Sequence, residues 1–341
     1  MSVASWSGSL LAWEAELSAL KARLGRLFGR RELKESAAAF LGGVLSGIER
    51  KTGWLLAEQA GAARPYRMQS LLGRSRWEAD ELMYDVRSYV VEALGDPDGV
   101  LVVDETGFLK KGTQSVGVGR QYCGTADLIA TALEAGIPCA YVLADALYGS
   151  DRSLRVMLEQ REQPHVLAVR SNERLMAGSL HTRTAAEIAD AVAPGDWQRL
   201  AAGEGAKGPR LYDWARVRLF RLQQPGQRFD HWLLVRRSLR DPSERAYYVV
   251  FAPADVSLAE LAGVAGLRWT IETCFETAKD DLGLDHCEAR SWHAWHRHMT
   301  LVMAALAFLA KLRADLLRTA TSEPVPGKRN ERSLRLVGAH S

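Results

Sequence analysis

Three short, largely apolar runs, separated by helical segments, most strongly constrain what this chain can fold into. The runs are Val100–Val103, residues 139–143 and His165–Val169. An apolar run of this length is typical of a strand that is covered on both faces of its sheet. Helices are predicted between the runs, at 126–136 and 153–161. Strand, helix, strand, helix, strand is the βαβ pattern, so we expect an α/β sheet with parallel neighbours.

The chain before the first strand is predicted to be helical. From residue 13 to 94, β-branched alternation is scarce, and Ser75 and Glu78 have the capping-box spacing at the start of a helix that runs to residue 94. The Gly-Asp-Pro-Asp-Gly segment at 95–99 then breaks the chain. Earlier helices are predicted at 33–50, 54–60 and 66–72.

The chain after the third strand changes character twice. Residues 171–254 alternate apolar and polar side chains, which predicts a β-rich insertion with strands at 210–222, 229–235 and 247–252. Helical periodicity returns at Leu258 and continues through Lys279, and a last long helix is predicted at 293–317. The basic tail after Pro324 has the composition of a disordered segment.

Each of the first two strands ends at or next to an aspartate, Asp104 and Asp145. Ligands of open α/β sheets bind outside the carboxyl ends of the strands, so two parallel neighbours would bring both carboxylates into one site. A strand-terminal aspartate can instead cap a helix or a turn, an alternative that is stronger for Asp145 than for Asp104. Glu105 competes as a ligand, but strand alternation points its side chain away from Asp104.

Arg268, Glu272 and Lys279 lie in a segment with helical periodicity. At about 100° per residue, offsets of 4 and 11 positions fall about 40° and 20° from Arg268, so the three side chains share one stripe. Glu272 would be a third acid, with Glu276 as the runner-up, while a solvated stripe with ordinary i,i+4 pairing is the alternative. The adjoining arc carries the apolar residues that we expect to face the core, Ile271, Phe275 and Leu282.

Three carboxylates with few other ligands would form a hard, oxygen-only site that suits Mg²⁺ or Mn²⁺. Two such ions about 4 Å apart would activate a water or a 3′-hydroxyl and stabilise the leaving oxygen at a phosphodiester. Arg268 and Lys279 would then hold the phosphates beside the scissile one.

The distribution of charge favours a polyanionic partner over a membrane. Lys21 to Arg76 contains 12 basic and 4 acidic residues, and His286 to the end contains 9 and 4. Such basic blocks in a near-neutral chain suit nucleic acid. The longest apolar run, 301–310, is too short to span a bilayer, and the N-terminus lacks the pattern of a signal peptide. Four cysteines without CxxC pairing fit a reducing cytoplasm.

Two further groups of residues carry weaker functional indications. His293, His296 and His298 cluster, but zinc would also need placed thiolates or carboxylates and a second shell, so core or DNA-facing histidines are favoured. Trp77 and Trp269 are candidates for base stacking.

Together these segments resemble a bacterial insertion-sequence transposase of the DDE superfamily, in the group marked by a Tyr-x2-Arg-x3-Glu-x6-Lys motif. VLVVDETGFLKKGTQSVGVGRQYCGTA (100–126), AYVLADALYGSD (140–151) and the segment 268–301 resemble the blocks that carry the three acids. GPRLYDWARVRL (208–219) resembles the family's β-insertion, and 76–99 its N-terminal helical region. The resemblance implies Asp104, Asp145 and Glu272 as catalytic acids and metal ligands of a two-ion Mg²⁺ or Mn²⁺ site, with Arg268 and Lys279 as the basic members of the motif.

The implied fold is an α/β, ribonuclease-H-like catalytic core with an all-α N-terminal domain and a β-rich insertion. The implied function is metal-dependent cleavage at transposon ends and strand transfer into target DNA, by a homodimer on double-stranded DNA in the cytoplasm, associated with the nucleoid. Candidate DNA contacts are Arg67, Arg74, Arg76, Lys110 and Lys111. The expected domains are 1–95 for DNA binding, 96–170 with 255–320 for catalysis, 171–254 for the insertion and 321–341 for the tail.

The chain departs from the family pattern at two places. Ala265 stands at the position of the motif's tyrosine, which removes a phenol expected near a phosphate. Only 145 − 104 = 41 residues separate the two aspartates, and the segment that would hold the second and third strands of the core is missing. The chain therefore resembles a family member with an internal deletion, and the alternative function is that of an inactive remnant that only binds DNA.

Overall fold

The computed structural model describes residues 10–105, 107, 125–178, 181–205, 208–220 and 228–322. Within these residues the strands are β1 (Val100–Val103), β2 (Tyr141–Ala144), β3 (His165–Val169), β4 (Arg174–Met176), β5 (Thr182–Thr184), β6 (Gln198–Gly205), β7 (Gly208–Arg218), β8 (Phe229–Arg237) and β9 (Arg245–Pro253). Seven of them form one mixed sheet in the order β1-β2-β3-β9-β8-β7-β6, and β4 and β5 form a separate hairpin.

The helices lie before, between and after these strands. The first group is α1 (Leu10–Gly25), α2 (Arg31–Val44), α3 (Gly53–Gln59), α4 (Tyr66–Gly73) and α5 (Ala79–Leu94). The others are α6 (Thr125–Glu134), α7 (Ala146–Gly149), α8 (Arg152–Gln160), α9 (Ala185–Asp190), α10 (Leu258–Gly266), α11 (Arg268–Glu276) and α12 (Trp292–Ser322). In the described part of the chain, we find no helix with the length and apolarity needed to cross a bilayer.

The predicted parallel core is present. β1 runs parallel to β2 and β2 parallel to β3, and helices α6 and α8 lie in the two connections, as the βαβ pattern requires. The predicted strands at 100–103 and 165–169 keep their bounds, whereas the one predicted at 139–143 lies at Tyr141–Ala144.

The strands of the predicted insertion extend the core sheet. The whole of β3 pairs antiparallel with β9, from His165 opposite Phe251 to Val169 opposite Tyr247. β8, β7 and β6 then continue the sheet in antiparallel order. The opposite edge of the sheet is β1, which among the described residues pairs only with β2. The loss of two core strands stays a prediction.

The N-terminal helices share a hydrophobic core with the last helix. Leu20, Phe40 and Leu82, on α1, α2 and α5, belong to the same buried cluster as Leu301 and Phe308 on α12. The side chain of Arg297 on α12 is buried, and it donates to the backbone oxygens of Leu72 and Trp77 while it stacks on the Trp77 ring. A domain boundary at residue 95 stays a prediction, but the core of the N-terminal helices includes α12.

The predicted capping box is wrong. Helix α5 begins at Ala79, so Glu78 is the N-cap residue, and no side chain caps it. The Ser75 hydroxyl instead lies 3.3 Å from that of Ser70. Trp77 is buried, with its indole N–H donating to the Leu71 oxygen at 2.7 Å. Burial of this large ring fixes the chain before the helix, and it removes Trp77 as a candidate for base stacking.

Candidate active site

Asp104 and Asp145 leave the sheet side by side. In the β1–β2 register Val103 lies opposite Ala144, the residues directly before the two aspartates. Parallel neighbours are about 4.8 Å apart, and so both carboxylates stand at the same carboxyl edge of the sheet. This is the edge at which an open α/β sheet binds its ligands.

Asp145 caps a helix as well as facing this edge. Its Oδ1 accepts hydrogen bonds from the backbone N–H groups of Leu147 at 2.8 Å and Tyr148 at 3.4 Å, at the start of α7. Asp145 can therefore be both a helix cap and a metal ligand, because the cap uses only Oδ1 and leaves Oδ2 of the carboxylate for a ligand.

Close packing of α7 on β3 fixes the position of Asp145. A Cβ atom placed on Gly149, the last residue of α7, would lie 1.7 Å from the Ala168 oxygen, so only glycine permits this approach. The buried Arg155 side chain also contacts α7. It donates from Nε to the Gly149 oxygen at 2.6 Å and from Nη2 to Glu173 at 2.8 Å. The short helix and its cap are thus held from both sides.

Arg268 links the first acid to the third. Its Nη1 lies 3.9 Å from Oδ2 of Asp104, and its Nη2 donates to Oε1 of Glu272 at 3.3 Å. The other oxygen of Asp104 accepts from the Glu105 N–H at 2.8 Å. A guanidinium therefore lies where it partly neutralises both carboxylates.

The predicted cluster of three carboxylates stays a prediction. Among the described residues, no three His, Cys, Asp or Glu side chains lie close enough together to hold a metal ion. Arg268 contacts both Asp104 and Glu272 and partly neutralises their charge. Asp104 and Asp145 remain adjacent, and their oxygens are the donor type that Mg²⁺ and Mn²⁺ take. The donor chemistry therefore fits a divalent ion at this pair.

The segment from Leu258 to Lys279 is not one helix, contrary to the prediction. Helix α10 ends at Gly266, where a Cβ atom would lie 1.9 Å from the Ala202 oxygen of β6, and α11 begins two residues later. Residues Thr277–Asp281 then form a π-helical turn. A π-turn contains more residues than an α-turn, so Lys279 lies off the predicted stripe. Its Nζ donates to the Gly107 oxygen at 3.1 Å.

Helix α11 is less buried than its sequence indicates. None of its residues is fully buried, and Ile271 and Phe275 are only partly covered. Of the three residues predicted to face the core, only Leu282, which follows the π-turn, is buried. Glu272 is 36% exposed, and Trp269 is 57% exposed and stays a candidate for base stacking. Ala265, at the motif's tyrosine position, is buried.

An open pocket of about 710 Å³ lies beside Asp145. Its walls are the loop after β3, the ends of β8 and β9, and Arg268. Arginines are prominent among the residues that line it, at positions 170, 236, 245 and 268, together with Ser171 and Asn172. Arg170, Arg236 and Arg245 were not predicted from the sequence as residues of this site. Arg236 and Arg245 fall in the insertion, and only the pairing of β8 and β9 onto β3 brings them to the site.

The predicted DNA contacts outside the sheet differ in their surroundings. Arg67 donates to Glu35 at 3.1 Å, and Arg31 and then Arg67 hold the pKa of the Glu35 carboxyl below its usual value. Arg74 and Arg76 are exposed, and no carboxylate of a described residue lies within salt-bridge distance of either. Lys110 and Lys111 lie outside the described residues.

The three histidines of α12 do not form a metal site. His298 is buried, with Nε2 3.1 Å from the Gly283 oxygen and its ring edge-on to Phe40. His296 lies 3.7 Å from Asp80, and His293 is exposed. The favoured interpretation as a core residue is confirmed for His298.

Comparisons with known families match nearly the whole described chain. A family described as the transposase DDE domain matches residues 124–308, which is more than half of the sequence. A second family, described as a DDE superfamily endonuclease, matches residues 23–127. The two matches meet at residues 124–127, between Asp104 and Asp145. No curated protein sequence matches the chain significantly.

Proposed function

The chain belongs to the transposase DDE domain family, and from this we propose that it binds DNA, cleaves phosphodiester bonds at transposon ends and joins the freed 3′-hydroxyl to target DNA. The observation that carries the proposal is the pair Asp104 and Asp145 at the ends of neighbouring parallel strands. Arg268, which contacts Asp104 and Glu272, adds the group that would meet the phosphate.

Members of this family use divalent metal ions. In this chain Asp104 and Asp145 would hold the ion, Mg²⁺ or Mn²⁺, and when bound it would supply an activated oxygen nucleophile and stabilise the leaving oxygen. We propose a site for two such ions. Glu272 would be its third acidic ligand. We therefore assign these three residues as catalytic.

Arg268 can exchange its carboxylate partners for a DNA phosphate. Its side chain is 36% exposed, and its contacts with Asp104 and Glu272 are long for charged hydrogen bonds. A DNA phosphate offers the guanidinium a bidentate partner. When Arg268 turns to the phosphate, it releases Glu272 to act with the other two acids. Lys279, now on the Gly107 oxygen, is the second phosphate contact.

A second candidate function is that of a DNA-binding remnant without catalysis. The observations that favour it are the short interval between Asp104 and Asp145, β1 at the edge of the described sheet, and the junction of two family matches at 124–127. We propose that an internal deletion lies at this junction. The remnant would occupy transposon ends through its basic N-terminal helices, as a homodimer on DNA.

One assay separates the two functions. The full chain is incubated with duplex DNA that carries the ends of its own element, with Mg²⁺ or with EDTA, beside Asp145→Asn. Cleavage and strand-transfer products that need both Mg²⁺ and Asp145 support the enzyme. Specific binding without cleavage selects the remnant, and a chain that neither binds nor cleaves DNA contradicts both. Sedimentation of the protein–DNA complex tests the homodimer.

A further inference from the structure

Two adjacent arginines of β8 have opposite surroundings. Arg237 donates to Asp213 at 3.3 Å, and its guanidinium lies 4.0 Å from the centre of the Trp197 ring. Arg236 lies 4.4 Å from the centre of the Tyr212 ring, and no carboxylate of the described residues lies within 4 Å of it. A guanidinium stacked on an aromatic ring keeps its N–H donors for an anion. Arg236 is thus a half-buried cation without a counter-charge.

The register of the sheet puts Arg236 in line with the candidate active site. Arg236 pairs with Ala246 on β9, and on β3 the next residue after Val169, which pairs with Tyr247, is Arg170. Arg170 is exposed, and within the described chain it too lacks an ion pair. Arg170 and Arg236 therefore form a row across three strands that begins beside Asp145.

The two remaining arginines of the pocket already contact carboxylates. Arg245 donates to Asp190 at 2.6 Å, and Arg268 contacts Asp104 and Glu272. The positive charge of the pocket that has no ion-pair partner among the described residues lies at Arg170 and Arg236. These two residues are on the side of the pocket away from β1. A ligand drawn to this side carries negative charge at more than one point.

We propose that one strand of DNA runs from Asp104 and Asp145 across β3 and β9 to β8, with its phosphates on Arg170 and then on Arg236. This inference rests on the proposed function and names the path of its substrate. Three strand spacings separate Asp145 from Arg236, or roughly 14 Å, which corresponds to about four base-pair steps along the axis of a duplex, where each strand carries one phosphate per 3.4 Å. The pocket is open along this path, as a polymer requires.

The test measures DNA affinity without metal, so that it does not depend on cleavage. Fluorescence anisotropy of a labelled end-containing duplex is followed against NaCl concentration in EDTA, for wild type, Arg236→Gln, Arg236→Lys and Arg237→Gln. The last is the matched control, because it is the next residue on the same strand but points to the other face and is paired with Asp213.

We expect Arg236→Gln to weaken binding about tenfold and to lower the salt slope by about 0.9, the loss of one phosphate contact. Arg236→Lys should recover most of the affinity, and Arg237→Gln should bind as wild type does. Circular dichroism establishes that each variant folds. Should Arg236→Gln not fold, Arg170→Gln at the exposed end of the row carries the same expectation.

Equal affinity and salt slope for wild type and Arg236→Gln would overturn the inference, as would an equal loss in Arg237→Gln. If wild type cleaves DNA while these variants show no difference, the path is wrong and the proposed function stands. If wild type does not bind DNA, both fail.

Discussion

The parallel and antiparallel halves of the sheet are built differently. In β1 all four residues are only partly buried, whereas β8 and β9 contain runs of five and six buried residues. The parallel half carries Asp104 and Asp145, and the antiparallel half carries Arg236 and the strands that brace α10. Within the parallel half, β2 and β3 are largely buried, so only the edge strand β1, which ends next to Asp104, is less covered than β8 and β9. We therefore expect substitutions in the two halves to change different measurable properties of the protein.

The largest expected effect concerns Glu272 of α11, the proposed third acid. Glu272→Gln should lower Mg²⁺-dependent cleavage by about a thousandfold and leave DNA affinity unchanged, because ligands of one site act as a unit. Cleavage rates and anisotropy measure the two quantities separately. The matched control is Glu276→Gln, one turn along the segment and exposed, which should stay active. The reverse result would move the third acid to Glu276.

Gly149→Ala should destabilise the parallel half most. The added methyl group would lie on the Ala168 oxygen, and overpacking of this kind costs about 3 kcal/mol of unfolding free energy. Gly263→Ala is the control, since a Cβ atom there meets nothing within 4 Å, and alanine in a helix should be neutral or stabilising. Urea denaturation measures both. Equal stability of the two variants would contradict the account of how α7 is held.

The two halves meet where β3 pairs with β9, and the stability contributed there should fall in acid. His165 of β3 is buried, stacks on Phe251 of β9, and its burial lowers its pKa from 6.5 to about 4. Because the folded pKa is depressed, the unfolded chain binds more protons between these values. This contribution to stability is complete above about pH 6.5 and is lost as pH falls to about 4, by about 3 kcal/mol in all.

The measurement is the free energy of unfolding of wild type and His165→Gln at pH 7 and pH 5. The difference between the two pH values should be smaller in the variant. His293→Gln, at an exposed position of α12, should keep the pH dependence of wild type. A variant at His165 with unchanged pH dependence would show that the loss of stability in acid does not depend on His165.

The edge of the parallel half should promote self-association. β1 is made of Val and Leu, and in the described chain only one of its edges is paired; an apolar edge of this kind accepts added strands. We expect light scattering to rise with protein concentration, strand transfer to be weak, and Val100→Lys to reduce the scattering several-fold. A wild-type chain that stays monomeric at high concentration with full activity would remove the case for a deletion.

The smallest effect is expected far from the sheet. Arg74→Ala should weaken DNA binding several-fold and lower the salt slope by about 0.9, the value for one phosphate contact. Arg67→Ala should have less effect, because Arg67 is already paired with Glu35. Salt titrations by anisotropy measure both variants. Binding that is independent of salt would contradict a DNA contact at these helices.

The sequence predicted those features that depend on neighbouring residues. Largely apolar runs predicted β1 and β3 to the residue, and the βαβ order of the first two strands predicted that Asp104 and Asp145 would be neighbours. The end of α10 was not predictable, because it is set by the distant Ala202 oxygen against Gly266. The capping box failed because burial of Trp77 outweighed a local pattern. The arginine row depends on the register between β3, β9 and β8, which no local pattern contains.

The shared core of the N-terminal helices and α12 has a consequence for synthesis on the ribosome. Phe40 and Leu82 are made early, but their partners Leu301 and Phe308 follow more than two hundred residues later. At about 5–20 residues per second, translation leaves the first helices without α12 for roughly 10–40 s. During this interval their apolar faces are uncovered in the nascent chain. We therefore expect the rate of translation, and chaperones that bind uncovered apolar surface, to affect how much of this chain reaches the folded state.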